Sequence, residues 1–138
     1  MTTCTYSKID RASLVKLKER ALGCEHPNWD DIISLVKSVV GNWAKLYNSI
    51  RQFEMEKCLE FSPAERAEHL SCIEASIDVG CDLLLLVHYV EDKSDPKRDL
   101  SDLNTDITHA LRALKLSRSS FSEDVSDVEL PSFKPNAA

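Results

Sequence analysis

Trp29-Asp30-Asp31-Ile32-Ile33-Ser34-Leu35-Val36-Lys37-Ser38-Val39-Val40-Gly41-Asn42-Trp43-Ala44-Lys45-Leu46-Tyr47-Asn48-Ser49-Ile50-Arg51-Gln52-Phe53 is the stretch whose periodicity decides the fold class. Trp29, Val36, Trp43 and Ile50 recur every seven residues. Ile32, Val39, Leu46 and Phe53 form a second column, with Ile33, Val40 and Tyr47 beside it. These positions make a wide apolar stripe on one face of a helix, as in a buried bundle helix. The opposite face carries Asp30, Ser34, Lys37, Ser38, Gly41, Lys45, Asn48, Arg51 and Gln52. A strand would alternate with period two, and this stretch does not. Asn28 is placed to cap the helix, with Asp30 and Asp31 complementing its dipole in the first turn. No proline interrupts before Pro63, so one long helix is expected from about residue 28 to about residue 60, roughly 50 Å in length.

Working outward, Ser7-Lys8-Ile9-Asp10 reads as the start of a shorter helix that Gly23 ends, with Leu14, Leu17, Ala21 and Leu22 as its apolar side. Ser62-Pro63-Ala64-Glu65 is the clearest boundary in the chain. Serine caps, proline takes the first helical position, and Glu65 can reach back to the cap. The helix that follows is expected to run to about Glu91 and carries a seam of Leu70, Ile73, Ile77, Leu84 and Val87, with Gly80 in the same column. Asp95-Pro96 repeats the cap-then-proline pattern ahead of a fourth stripe of Leu100, Leu103, Ile107, Ala110, Leu111 and Leu114. From Ser117 the periodicity fails. The expected fold is all-α, an antiparallel four-helix bundle with one long central helix, occupying residues 1–118. Residues 119–138 are read as a disordered acidic, Ser-rich tail. In that tail Ser120 and Ser126 each have an acidic residue three positions on, as acidophilic kinases prefer.

The composition bounds the functional classes. At 138 residues with 3 Gly and 5 Pro, a single domain of long helices is expected. The formal charge of −6 disfavours whole-molecule attraction to nucleic acid or to anionic membrane. Residues 1–22 are polar and charged and do not read as a secretory signal. Five cysteines without a C-x-x-C spacing read as free thiols, which places the chain in a reducing compartment, cytoplasmic or nuclear.

Motifs for chemistry are weak. Cys24 with His26, and His69 with Cys72, pair thiol and imidazole, yet neither spacing is that of a zinc module. Asp106-Ile107-Thr108-His109 is a lone fragment where a di-iron bundle needs paired Glu-x-x-His motifs. Cys72 and Cys81 lie on the most acidic helix, which disfavours a thiolate nucleophile. No cofactor, metal or catalytic residue is expected.

The helix after Pro63 carries a second apolar column, Cys72, Ser76, Val79, Leu83, Leu86 and Val90. At about 100° per residue this column and the first seam point roughly 130° apart. A helix on the outside of a bundle has one wide face to bury. Either this helix is central within its own chain or the second column meets another subunit; the second option, a dimer contact through Cys72, Val79, Leu83, Leu86 and Val90, is the one expected. The functional expectation is a non-enzymatic, self-associating protein–protein interaction module. The alternative is an RNA-binding helical protein using Lys8, Arg11, Lys16, Lys18 and Arg20 near the start, with Arg112, Lys115 and Arg118 near the end of the fourth helix.

Overall fold

A computed structural model describes residues 11–23, 25–57 and 60–129, with side chains through Phe121. It contains four helices: α1 (Arg11–Leu22), α2 (Trp29–Lys57), α3 (Pro63–Lys93) and α4 (Ser101–Glu129). No strand occurs among the described residues.

α2 starts where its cap residue requires. The Asn28 side-chain oxygen accepts from the Asp31 backbone N–H at 3.3 Å. The helix buries Ile32, Val36, Val39, Val40, Trp43, Leu46 and Ile50, the stripe read from the sequence. Trp29, Ile33, Tyr47 and Phe53 are partly buried along its edges. α3 opens with a complete capping box. Ser62 Oγ accepts from the Glu65 N–H at 3.1 Å, and a Glu65 carboxylate oxygen accepts from the Ser62 N–H at 2.9 Å.

α2 and α3 form a central pair, each touching the other three helices, while α1 and α4 flank the pair and do not touch each other among the described residues. This arrangement accounts for both seams of α3. Gly80 meets Leu111 of α4, and Glu91 accepts from the Leu100 N–H at 3.0 Å. The first seam lies on that side. Asp82 pairs with Lys18 of α1 at 2.9 Å, and the Ser76 carbonyl accepts from the Trp43 indole N–H of α2 at 2.9 Å. At about 100° per residue, the second seam falls in the arc between Asp82 and Ser76.

The dimer contact expected through the second seam is therefore corrected. Val79, Leu83, Leu86 and Val90 are buried in the chain's own core, and Cys72 is partly buried against it. Apart from Pro63, Ala64 and Lys93 at its ends, the exposed residues of α3 form one stripe, Ala67, Ser71, Glu74, Asp78, Leu85, His88 and Asp92.

Two further corrections concern α4. Its first residue is Ser101, five beyond Pro96. The intervening segment is tied back to α3 instead: Ser94 Oγ accepts from the Arg98 N–H at 3.1 Å, and Glu91 holds both the Leu100 N–H and the Asn104 side chain. At the other end the helix continues to Glu129. Residues 119–129 are thus helical where a disordered tail was expected, and Phe121 is buried. Residues 130–138 of that expected tail lie outside the described residues.

Two glycines on adjacent helices give opposite expectations. A Cβ on Gly80 would stand 2.5 Å from Trp43 Cζ2 and 2.6 Å from Leu111 Cδ2. Gly80→Ala should destabilise by about 1–3 kcal/mol in urea titration despite its better helix propensity. A Cβ on exposed Gly41 meets nothing within 4 Å, so Gly41→Ala should stabilise by up to about 1 kcal/mol. Leu86→Glu places a carboxylate in the intrachain core and should abolish cooperative thermal unfolding. A well-folded Leu86→Glu chain would contradict the position given to that residue.

Candidate functional site

The strongest concentration of polar chemistry lies where the end of α2, the start of α3 and the later turns of α4 converge. His69 is 1% exposed, and its Nε2 stands 2.7 Å from Glu54 Oε2. The other Glu54 oxygen accepts from Ser117 Oγ at 3.1 Å. Arg51 Nη1 approaches both Glu54 Oε1 and Ser117 Oγ at 3.5 Å, at the long limit of hydrogen bonding. One carboxylate thereby connects three helices.

Aromatic rings enclose the imidazole. Phe61 and Phe121 stand 5.1 and 4.7 Å from the His69 ring centre, and Phe53 stands at 5.7 Å. Phe61 meets Phe53 and Phe121 edge-on, the arrangement that ring quadrupoles favour. Cations ring the outside. The Arg66 guanidinium lies 5.4 Å from the Phe121 ring centre and the Lys57 ammonium 5.9 Å from that of Phe61, both within cation–π range. Lys57 also pairs with Glu65 at 2.9 Å. The Ser62 backbone N–H holds the Glu65 carboxyl below its ordinary 4.5, helped by the Lys57 ammonium and the Ser62 hydroxyl.

Chemically, the cluster holds a His69 ring nitrogen within hydrogen-bond distance of the Glu54 carboxylate. Ser117 bonds the carboxylate and not the imidazole, so the trio lacks the serine–base contact that nucleophile activation needs. The geometry suits a buried polar tie between helices. Its loss would be costly, because an unpaired buried partner is left behind.

The residues singled out from the sequence are dispersed. Cys24 lies outside the described residues and His26 is exposed. Cys72 and Cys81 are not joined in a disulfide, and each is partly buried. Among the described residues no group of three or more His, Cys, Asp or Glu side chains is placed to hold a metal. The basic residues proposed for RNA do not merge into one surface. Arg11, Lys16 and Arg20 are exposed on α1, Arg112 and Lys115 are exposed on α4, and those two helices are not in contact. Lys18 is engaged with Asp82, Arg118 is half-buried, and Lys8 lies outside the described residues. No helix among the described residues is long and apolar enough to cross a membrane.

Sequence reasoning missed the Glu54–His69–Ser117 tie and the docking of Phe121. The spacing held one signal for the latter, since Phe121 falls seven residues after Leu114 on the same helical face.

Two outcomes follow from this geometry. Phe121→Ala, or truncation after Arg118, should lower stability by about 3–5 kcal/mol in chemical denaturation, the range for emptying a buried aromatic site. An unchanged midpoint would mean that the end of α4 does not dock. Glu65 is held below its ordinary value, so its stabilising contribution is complete above pH 4.5 and disappears as pH falls through the lowered value. Melting temperatures followed from about pH 6 to pH 3 should therefore fall less steeply in Glu65→Gln than in the wild type.

Comparison with protein-family models, curated proteins and solved structures finds no match to this chain.

Proposed function

We propose that the chain is a non-enzymatic helical module that acts through protein–protein contact. The observation that carries this reading is where its exposed apolar side chains lie. Val15 and Leu22 of α1 are 52% and 54% exposed, and Leu85 of α3 is 69% exposed. α1 and α3 touch, and Lys18–Asp82 ties them at 2.9 Å. Consecutive helices run antiparallel in this reading. The pairs Lys57–Glu65, Glu54–His69 and Trp43–Ser76 support it, since α2 numbers descend as α3 numbers rise. α1 and α3 then run the same way. Leu22 lies one turn past Lys18 and Leu85 about one turn past Asp82, so both reach one level of the same face. Single exposed apolar residues are ordinary on any protein, whereas a shared apolar face marks a contact surface.

The test uses surface variants that leave the core intact. A Leu22→Asp/Leu85→Asp chain should keep the wild-type circular dichroism and melting temperature, yet lose proteins that co-purify with the wild type from cells expressing it. Leu116→Asp, on the exposed side of α4, should retain them. Equal capture by all three chains would overturn the reading.

A further inference from the structure

We propose that Ser120 is a phosphorylation site and that a phosphate there releases the end of α4 from the bundle. The site is separate from the α1–α3 face and does not depend on it. Among the serines whose side chains are described, Ser62, Ser71 and Ser120 are exposed and have an acidic residue three positions on, the spacing that acidophilic serine kinases read. The Ser62 hydroxyl is occupied in the capping box. Ser71 lies within α3, which packs against all three other helices, so drawing it into an active site would dismantle the core. Of these serines, only Ser120 is followed by two acidic residues, Glu123 and Asp124, and it stands within about three turns of a helix end. That end is weak by its own electrostatics. Its last turn holds Asp127 and Glu129 and no basic residue, the reverse of what the negative pole of the helix dipole favours. Such ends open locally far more readily than packed helix middles, and opening presents Ser120 in the extended form a kinase takes up.

In the transfer step Ser120 Oγ attacks the γ-phosphorus of a nucleoside triphosphate and gives its proton to the kinase's catalytic base. The nucleoside diphosphate leaves with the electron pair of the broken P–O bond. The consequence comes from the same spacing that marks the serine. In the helix, Glu123 and Asp124 follow Ser120 at i+3 and i+4, positions at which a phosphate and a carboxylate repel. The residues four and three before it, Leu116 and Ser117, offer no cation to offset that repulsion. Phe121 is the next residue. Its ring is buried against Phe61 and His69, with the Arg66 guanidinium over it. Loosening the helix at Ser120 therefore loosens the contact that docks the end of α4.

The test treats the full chain with an acidophilic serine kinase, ATP and Mg²⁺, and locates the modified residues by mass spectrometry. Amide hydrogen exchange over Ser117–Phe121 is then compared before and after treatment. Phosphate should appear on Ser120, and exchange at those amides should quicken at least about fivefold. Ser120→Ala, at an exposed position where alanine suits a helix, should fold as the wild type does and show no quickening after the same treatment. A folded chain left unmodified at Ser120 would overturn the site. Phosphate on Ser120 with unchanged exchange would overturn the release. Slower exchange would mean that a cation holds the phosphate against the bundle, and would overturn it equally. Quickening in treated Ser120→Ala would assign the release to another serine and remove Ser120 from the account.

Discussion

The Trp43 indole is the constraint on which the rest of the helical assembly depends. Its N–H donates to the Ser76 carbonyl at 2.9 Å, and its ring fills the space that Gly80 leaves open, with Leu111 of α4 on the other side. Three helices therefore meet at one point. A buried indole N–H without a partner would be costly, so the hydrogen bond selects one depth of α2 against α3. The missing Cβ at Gly80 lets the helices approach at that depth. With α2 and α3 paired this closely, α1 and α4 each pack against both and do not touch each other among the described residues. The burial of α3 on two sides, with Val79 and Leu83 on one and Ile73 and Ile77 on another, fits that geometry.

At the far end of the same helices the packing changes character. Charge and aromatic stacking replace aliphatic contact around His69, Glu54 and Ser117. The capping box at Ser62 and Glu65 fixes where α3 begins, and Lys57 joins that box to α2. Phe61, in the connection between the helices, then has a defined position from which to meet Phe121. The chain thus has an apolar junction near its middle and a polar, aromatic tie at one end. Between them these fix both the approach and the register of the central pair.

Much of this was legible in the sequence because it is local. Heptad spacing identified the buried face of α2 residue by residue, and the Ser62–Glu65 signature located the start of α3. Asn28 did the same for α2. The all-helical class followed from periodicity alone. What the sequence did not reveal depends on distant residues. The second seam of α3 was correctly recognised as needing a partner. Choosing between another subunit and α1 required knowing that a 12-residue helix packs beside Asp82. Pro96 had the local signature of a helix start, but Glu91 and Ser94 hold that segment as a loop through bonds invisible in the spacing. Ser117 ended the apolar pattern, although its hydroxyl is buried because Glu54, 63 residues earlier, accepts from it. The exposed residues on α1 and α3 were also out of reach, since exposure is set by which neighbours each helix finds.

The most direct measurement of the central junction is a double-mutant cycle between Trp43 and Gly80, read by urea denaturation. If the indole fills the space beside Gly80, an alanine there should be much better tolerated once Trp43 is replaced by the smaller leucine. The expected coupling between Trp43→Leu and Gly80→Ala is at least about 1 kcal/mol. Strictly additive effects would mean that the indole and Gly80 are not in contact, and would contradict the pairing of α2 with α3 on which the fold rests.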